Sequence, residues 1–157
     1  MADTRETAGA LVGSDDAPFV LRHPPGWEPA GDQLPAGDED LVAALRRTDG
    51  RGFVTVAVRG QLLGTTLDEV QDTLLMGLED AFSDFELVRC QPIRIPAGTA
   101  IYTSYVLVDS GRVQSNLTVA VGPRTYQLDA ALPATADDVA EEVAAMFASF
   151  EVRNAAG

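Results

Sequence analysis

The chain has 157 residues, 46% hydrophobic and 22% charged, a length and balance that suit one globular domain with a sizeable core rather than a disordered chain. Its formal net charge is −13, from 24 acidic residues against 11 basic ones that lie scattered, which argues against nucleic acid and acidic membrane surfaces as partners. The single Cys90 cannot close an internal disulfide, and no window approaches the roughly 18 apolar residues of a membrane span.

Residues 1–17 are small and polar and read as a flexible leader. They carry no basic-then-apolar export pattern, so the expected address is cytoplasmic, or extracytoplasmic if an export signal has been removed. A single domain is expected over 18–152, with a tail over 153–157. Within it, 19–23 forms a short strand that Pro24-Pro25-Gly26 stops. Glu28 to Asp40 reads as a loop rich in Pro, Gly and acid. Leu41, Ala43 and Leu45 alternate as a second strand ending at the hairpin signal Asp49-Gly50, and 53–59 is a third.

Thr66 with Glu69 three residues on is a capping box, and Asp68 adds charge to the first turn. Leu67, Val70, Leu74, Leu75, Leu78 and Phe82 then follow helical spacing. A second helix starts near Thr135, its expected cap, with Asp137-Asp138 in the first turn and an apolar stripe of Val139, Val143, Met146, Phe147 and Phe150. Both stripes read as core packing.

Between the helices lie four strands, near 85–95, 99–109, 112–121 and 124–132. A two-residue turn at Ser110-Gly111 pairs Asp109 with Arg112, Val108 with Val113 and Tyr102 with Val119; Gly122-Pro123 pairs Val121 with Arg124. Both hairpins then place the same residues of the central strand on one face, and a slip of one residue would exchange the faces. That core face holds Val106, Val108, Val113, Leu117, Val119, Val121, Tyr126, Leu128 and Leu132. The opposite face mixes Ile101, Thr103, Tyr105 and Leu107 with Gln114, Asn116, Thr118, Gln127 and Asp129. Uncharged hydrogen-bonding groups around large apolar side chains suit protein recognition, while an ordinary sheet face, solvated or partly covered, has the same composition.

The opening Phe19-Val-Leu-Arg-His-Pro-Pro-Gly-Trp27, the closing Ser149-Phe150-Glu151-Val152 and the element order resemble the PsbP-like superfamily, which includes DcrB-like bacterial envelope proteins and a eukaryotic Ran-binding protein. The resemblance covers about 18–152. It implies an α+β fold: an antiparallel sheet of about six to seven strands packed with two main helices as an α/β/α sandwich. The second helix is expected over part of the mixed face. The resemblance also implies a mostly non-enzymatic role and carries over no site residues. The lipoproteins of that superfamily have an export signal and an acylated cysteine, and this sequence has neither.

Catalytic chemistry finds little support. His23 is the sole histidine, so a Ser-His-Asp or Cys-His centre has one weak candidate base, and zinc sites rich in His or Cys are excluded by count. Asp38-Glu39-Asp40 and Asp137-Asp138 lack the spacing of a calcium loop, and 60–64 lacks the lysine of a phosphate cradle. No metal and no cofactor is expected.

The reading is a non-enzymatic, protein-binding or chaperone-like adaptor from a bacterium of high GC content, since every basic residue is arginine. Ile101, Tyr105, Leu107, Gln114, Asn116, Thr118 and Gln127 would meet another protein. One alternative is a small-molecule carrier, or a weak enzyme, with an enclosed cavity between sheet and helix lined by Trp27, Tyr102 or Tyr126; a cell-envelope lipoprotein-like domain is a second. Another is a self-associating domain, as a homodimer.

Overall fold

A computed structural model describes residues 9–13, 18–31, 40–60, 66–122 and 124–152. Among the described residues, nine strands and two helices follow in the order β1 (Gly9–Val12), β2 (Val20–His23), β3 (Trp27–Pro29), β4 (Leu41–Arg47), β5 (Phe53–Arg59), α1 (Leu67–Ala81), β6 (Phe85–Ile95), β7 (Gly98–Leu107), β8 (Arg112–Val121), β9 (Arg124–Pro133) and α2 (Asp137–Ala148). Seven strands form one antiparallel sheet in the order β3-β4-β5-β9-β8-β7-β6, and β1 pairs with β2 in a second, two-stranded sheet. The fold is α+β, with the expected antiparallel sheet and two helices.

The second hairpin has the expected register: Val121 faces Arg124, Val119 faces Tyr126 and Leu117 faces Leu128. The first does not. Its turn spans 108–111, where Gly111 N donates to Leu107 O at 2.9 Å, so Leu107 rather than Asp109 faces Arg112. Gly111 takes φ 66, a left-handed conformation that glycine adopts without a Cβ clash. Every pair in β7–β8 is thereby displaced by two residues, with Val106 facing Val113 and Tyr102 facing Leu117. An even displacement preserves which residues share a face. The two faces are therefore as expected, except that Val108 leaves the core for the turn, where it is 52% exposed.

The core lies on one side of the sheet. Leu117, Val119, Tyr126, Leu128 and Leu132 join Val54 and Val56 of β5, and α2 lays Val139, Val143, Met146 and Phe147 over them. Phe19, Tyr126 and Phe150 form an aromatic triangle with ring centroids 5.7 to 6.4 Å apart, in the edge and tilted geometries that aromatic pairs favour. The chain leaving α2 is tied back to β2 through reciprocal backbone bonds between Val20 and Glu151.

Two arginines clamp α2 to the β4–β5 hairpin. Arg47 donates to Glu142 at 2.9 Å and pairs with Asp49, and Arg51 grips Asp138 with two bonds of 3.1 and 2.8 Å. Glu142 also accepts the indole N–H of Trp27 at 2.8 Å.

Several expectations change. Gly9–Val12, assigned to the leader, pairs with β2, and Glu28-Pro29, assigned to a loop, extends β3 along β4. The remainder of the leader, most of the acidic loop with Asp38 and Glu39, the segment 61–65 and the tail 153–157 lie outside the described residues. Leu41 and Ala43 do not alternate regularly, because a bulge falls between them. Ala136, with no side-chain cap bond, replaces Thr135 as the cap of α2. The second helix covers the core face; it is α1 that lies over the mixed face.

Candidate functional site

α1 begins as its sequence dictates: Thr66 takes an extended conformation and its hydroxyl accepts from Glu69 N at 3.2 Å. Its apolar stripe faces β6 and β7, yet none of its residues is buried, whereas four residues of α2 are. The floor explains the difference. Beneath α1 the sheet offers Thr103, Asn116 and Asp129, short polar side chains that do not rise to fill the groove under Leu74 and Leu78. A half-open cleft of about 100 Å³ results, lined by Leu74, Leu78, Thr103, Tyr105, Asn116 and Asp129.

Tyr105 closes one end. Its ring lies 5.9 Å from that of Phe82, which caps α1, and 6.1 Å from that of Phe85 at the start of β6. Burial, with the Asp129 carboxylate adding to it, pushes its hydroxyl up to about 12, so it stays protonated at neutral pH. Gln71 of α1 donates to Cys90 O at 2.8 Å, tethering the helix to β6. The thiol of Cys90 sits 3.5 Å from the Thr103 hydroxyl.

Across the rest of the mixed face runs a continuous hydrogen-bonded chain. Arg59, paired with Asp40, donates to Gln127 at 2.6 Å; Gln127 reaches Thr118 at 3.5 Å. Thr118 donates to Asn116 at 2.6 Å, and Asn116 donates to Asp129 at 2.8 Å. Such a network holds each polar group in one orientation.

All seven candidate contact residues therefore share this face, and Tyr105 and Gln114 stand directly opposite each other. Their exposures differ. Ile101, Tyr105 and Thr118 are buried, while Leu107, Gln114, Asn116 and Gln127 are half-buried. The cleft between sheet and α1 is half-open and is not the cavity expected for a carrier, since none of Trp27, Tyr102 and Tyr126 lines it. Trp27, Tyr102 and Tyr126 belong to the opposite face: Trp27 bonds Glu142, Tyr102 packs on Phe147, and Tyr126 lies in the aromatic triangle. Leu74, Leu78, Thr103 and Asp129 went unselected in the sequence. The leucines read as ordinary core stripe, and nothing in the spacing told which helix would meet which face.

His23 is no base facing an open site. It is 8% exposed, its Nδ1 lies 3.0 Å from Pro24 O, and its ring lies against Gly9 of β1. Among the described residues no group of three or more His, Cys, Asp or Glu gathers as a metal site, and no helix is long and apolar enough to cross a membrane.

No family model and no curated protein matches the sequence. Solved structures do match the fold. Cyanobacterial PsbP from Synechocystis is similar at a TM-score of 0.69 and 11% identity, covering 94% of each chain. The Saccharomyces cerevisiae Ran-binding protein Mog1p is similar at 0.65 and 11% identity, covering 94% of this chain and 96% of that one. LpqN of Mycobacterium tuberculosis, involved in cell envelope biogenesis, is similar at 0.59 and 12% identity, covering 94% and 91%. The seven-stranded sheet and the two helices are thus a fold that this chain shares with PsbP and Mog1p.

Proposed function

We propose that this chain is a non-enzymatic protein-binding domain that meets its partner along the open rim of the mixed face, beside α1. The observation that carries the reading is the ordered polar chain from Arg59 through Gln127, Thr118 and Asn116 to Asp129, ending in a cleft walled by leucines. Fixed hydrogen-bonding groups next to apolar surface provide orientation and contact area without any reacting group. Leu107, Gln114, Asn116 and Gln127 form the contact rim, and Ile101, Tyr105 and Thr118 support it from beneath. The fold supports the reading as well, since a Ran-binding protein shares it.

A photo-crosslinking residue at Leu107 or Gln114, introduced in the native cells, is expected to trap one discrete heteromeric adduct. The same residue at Ala140, exposed on α2, is expected to trap none. An absence of adducts at both rim positions, or the same adducts at Ala140, would overturn the reading. An adduct of the chain with itself would replace it with self-association.

A further inference from the structure

We propose that the cleft under α1 receives one aliphatic side chain of the partner polypeptide, leucine or a residue of similar size, seated between Leu74, Leu78 and the Tyr105 ring. This rests on the protein-binding reading of the face and adds the chemistry that the partner must present.

The floor decides first, because its polar groups already have their bonds. The Asn116 side chain donates to Asp129 at 2.8 Å and accepts from Thr118 at 2.6 Å, and the Thr103 hydroxyl lies 3.5 Å from the Cys90 thiol. Asp129 has an interaction besides that with Asn116, and it is exposed to water. Among the described residues no fully buried side-chain nitrogen or oxygen is without a partner. A cationic or hydrogen-bonding side chain entering the cleft would give up its own water, find these groups engaged and gain little in exchange. An anion would in addition meet the Asp129 carboxylate. An aliphatic side chain asks for no bond and leaves the network intact.

The walls decide next. Leu74 and Leu78 line the cleft but are only half-buried, and α1 as a whole has no buried residue. A side chain in the gap would take part of their remaining apolar surface out of water, a gain that requires contact but no particular direction.

Size sets the residue type. An apolar cavity of roughly 150 Å³ holds a benzene-sized guest, so a cleft of about 100 Å³ suits a branched side chain of about four carbons and is short of room for an aromatic ring. Tyr105 and Asn116 belong both to the lining and to the contact face, and Gln114 stands opposite Tyr105. The half-open mouth therefore lets the partner's backbone stay on the rim while one side chain drops in.

The test uses the full chain and three short peptides of the form acetyl-Gly-X-Gly-amide, X being leucine, its polar isostere asparagine, or arginine, in an amide-resolved NMR titration at low and high salt. The leucine peptide is expected to give saturable shifts centred on Leu74, Leu78, Thr103 and Tyr105, at an affinity that salt does not reduce. The other two are expected to bind about tenfold more weakly. Leu78→Phe, which fills the cleft from the helix side, is expected to remove the leucine preference; where that variant does not fold, the unaltered chain decides alone. Equal affinity for leucine and asparagine, a preference for arginine, shifts centred elsewhere, or no saturation up to the solubility limit would each overturn the proposal, as would an unchanged preference in folded Leu78→Phe. If the leucine peptide fails while the crosslinks at Leu107 and Gln114 persist, the cleft chemistry is wrong and the docking rim stands. If both fail, the rim falls with it.

Discussion

At Gly52 a hydrogen atom occupies a place that no side chain could. A Cβ there would lie 2.6 Å from the Trp27 ring and 3.1 Å from a Val139 methyl, inside the seam where α2 meets the β4–β5 hairpin. Gly52→Ala is expected to lower stability by about 1–3 kcal/mol through overpacking, offset by only about 0.4–1 kcal/mol from a stiffer unfolded chain. Urea titration followed by the emission of Trp27, the only tryptophan, would read this directly. An unchanged midpoint would mean that the indole yields at no cost. The constraint is invisible in sequence, where Gly52 sits among turn residues and reads as punctuation. The capping box at Thr66 is the opposite case, legible because its chemistry is local and complete within four residues.

At the level of elements, the two helices are held by different physics. α2 combines four buried apolar residues with the arginine clamp, whereas α1 has no buried residue and a cleft beneath it. Amide hydrogen exchange is therefore expected to be faster throughout α1 than in the core turns of α2, through local opening rather than global unfolding. Equal protection would mean that α1 is as firmly seated as α2. The clamp makes a second prediction. Hydrogen bonds from the Arg51 backbone and side chain hold the Asp49 carboxyl below its ordinary value, and the Arg51 guanidinium does the same for Asp138. Burial works to raise Glu142, but bonds from Arg47 and Trp27 outweigh it and hold it low. Unfolded, these groups titrate near their ordinary 3.8 and 4.5. Their contribution is thus fully present above about 4.5 and is lost as pH falls through the lower folded values. Acid also relieves the repulsion of a chain with so many carboxylates, which works in the other direction. The useful readout is therefore a difference: Arg51→Gln is expected to lose less stability between neutral pH and the acid range than the unaltered chain. Parallel pH profiles would remove the clamp from the account.

For the molecule as a whole, the sheet has two edges, and they are managed differently. β3 is three residues long, while β6 is eleven and carries Leu87 and Val88 at 45% and 58% exposure. A long, partly apolar edge invites pairing with another chain. Here the bulge between Leu87 and Arg89 twists it, and Pro92 has no N–H to offer to a newcomer. Light scattering over a dilution series is expected to show a monomer for the unaltered chain and a mass that rises with concentration for Pro92→Val. Identical behaviour would show that Pro92 does not guard the edge. Net charge reinforces the guard, since like-charged copies repel at low salt.

The sequence by itself determined the four-strand meander, both helices and the division of the sheet into a core face and a mixed face. Each of these follows from near-neighbour spacing: period two in strands, helical stripes, and glycine where a turn needs it. Even the misplaced register between β7 and β8 kept the faces intact, because an error of two residues preserves parity. Only the tertiary structure decided that Gly9–Val12 joins β2, that α1 rather than α2 lies over the mixed face, and that its leucines span a gap instead of filling it. Those outcomes depend on which surfaces meet across long stretches of chain, and many arrangements bury the same stripes with nearly equal loss of apolar area. The choice among them rests on shape and on pairing partners such as Glu142 with Trp27 and Arg47, far apart in the chain and adjacent only once it has folded.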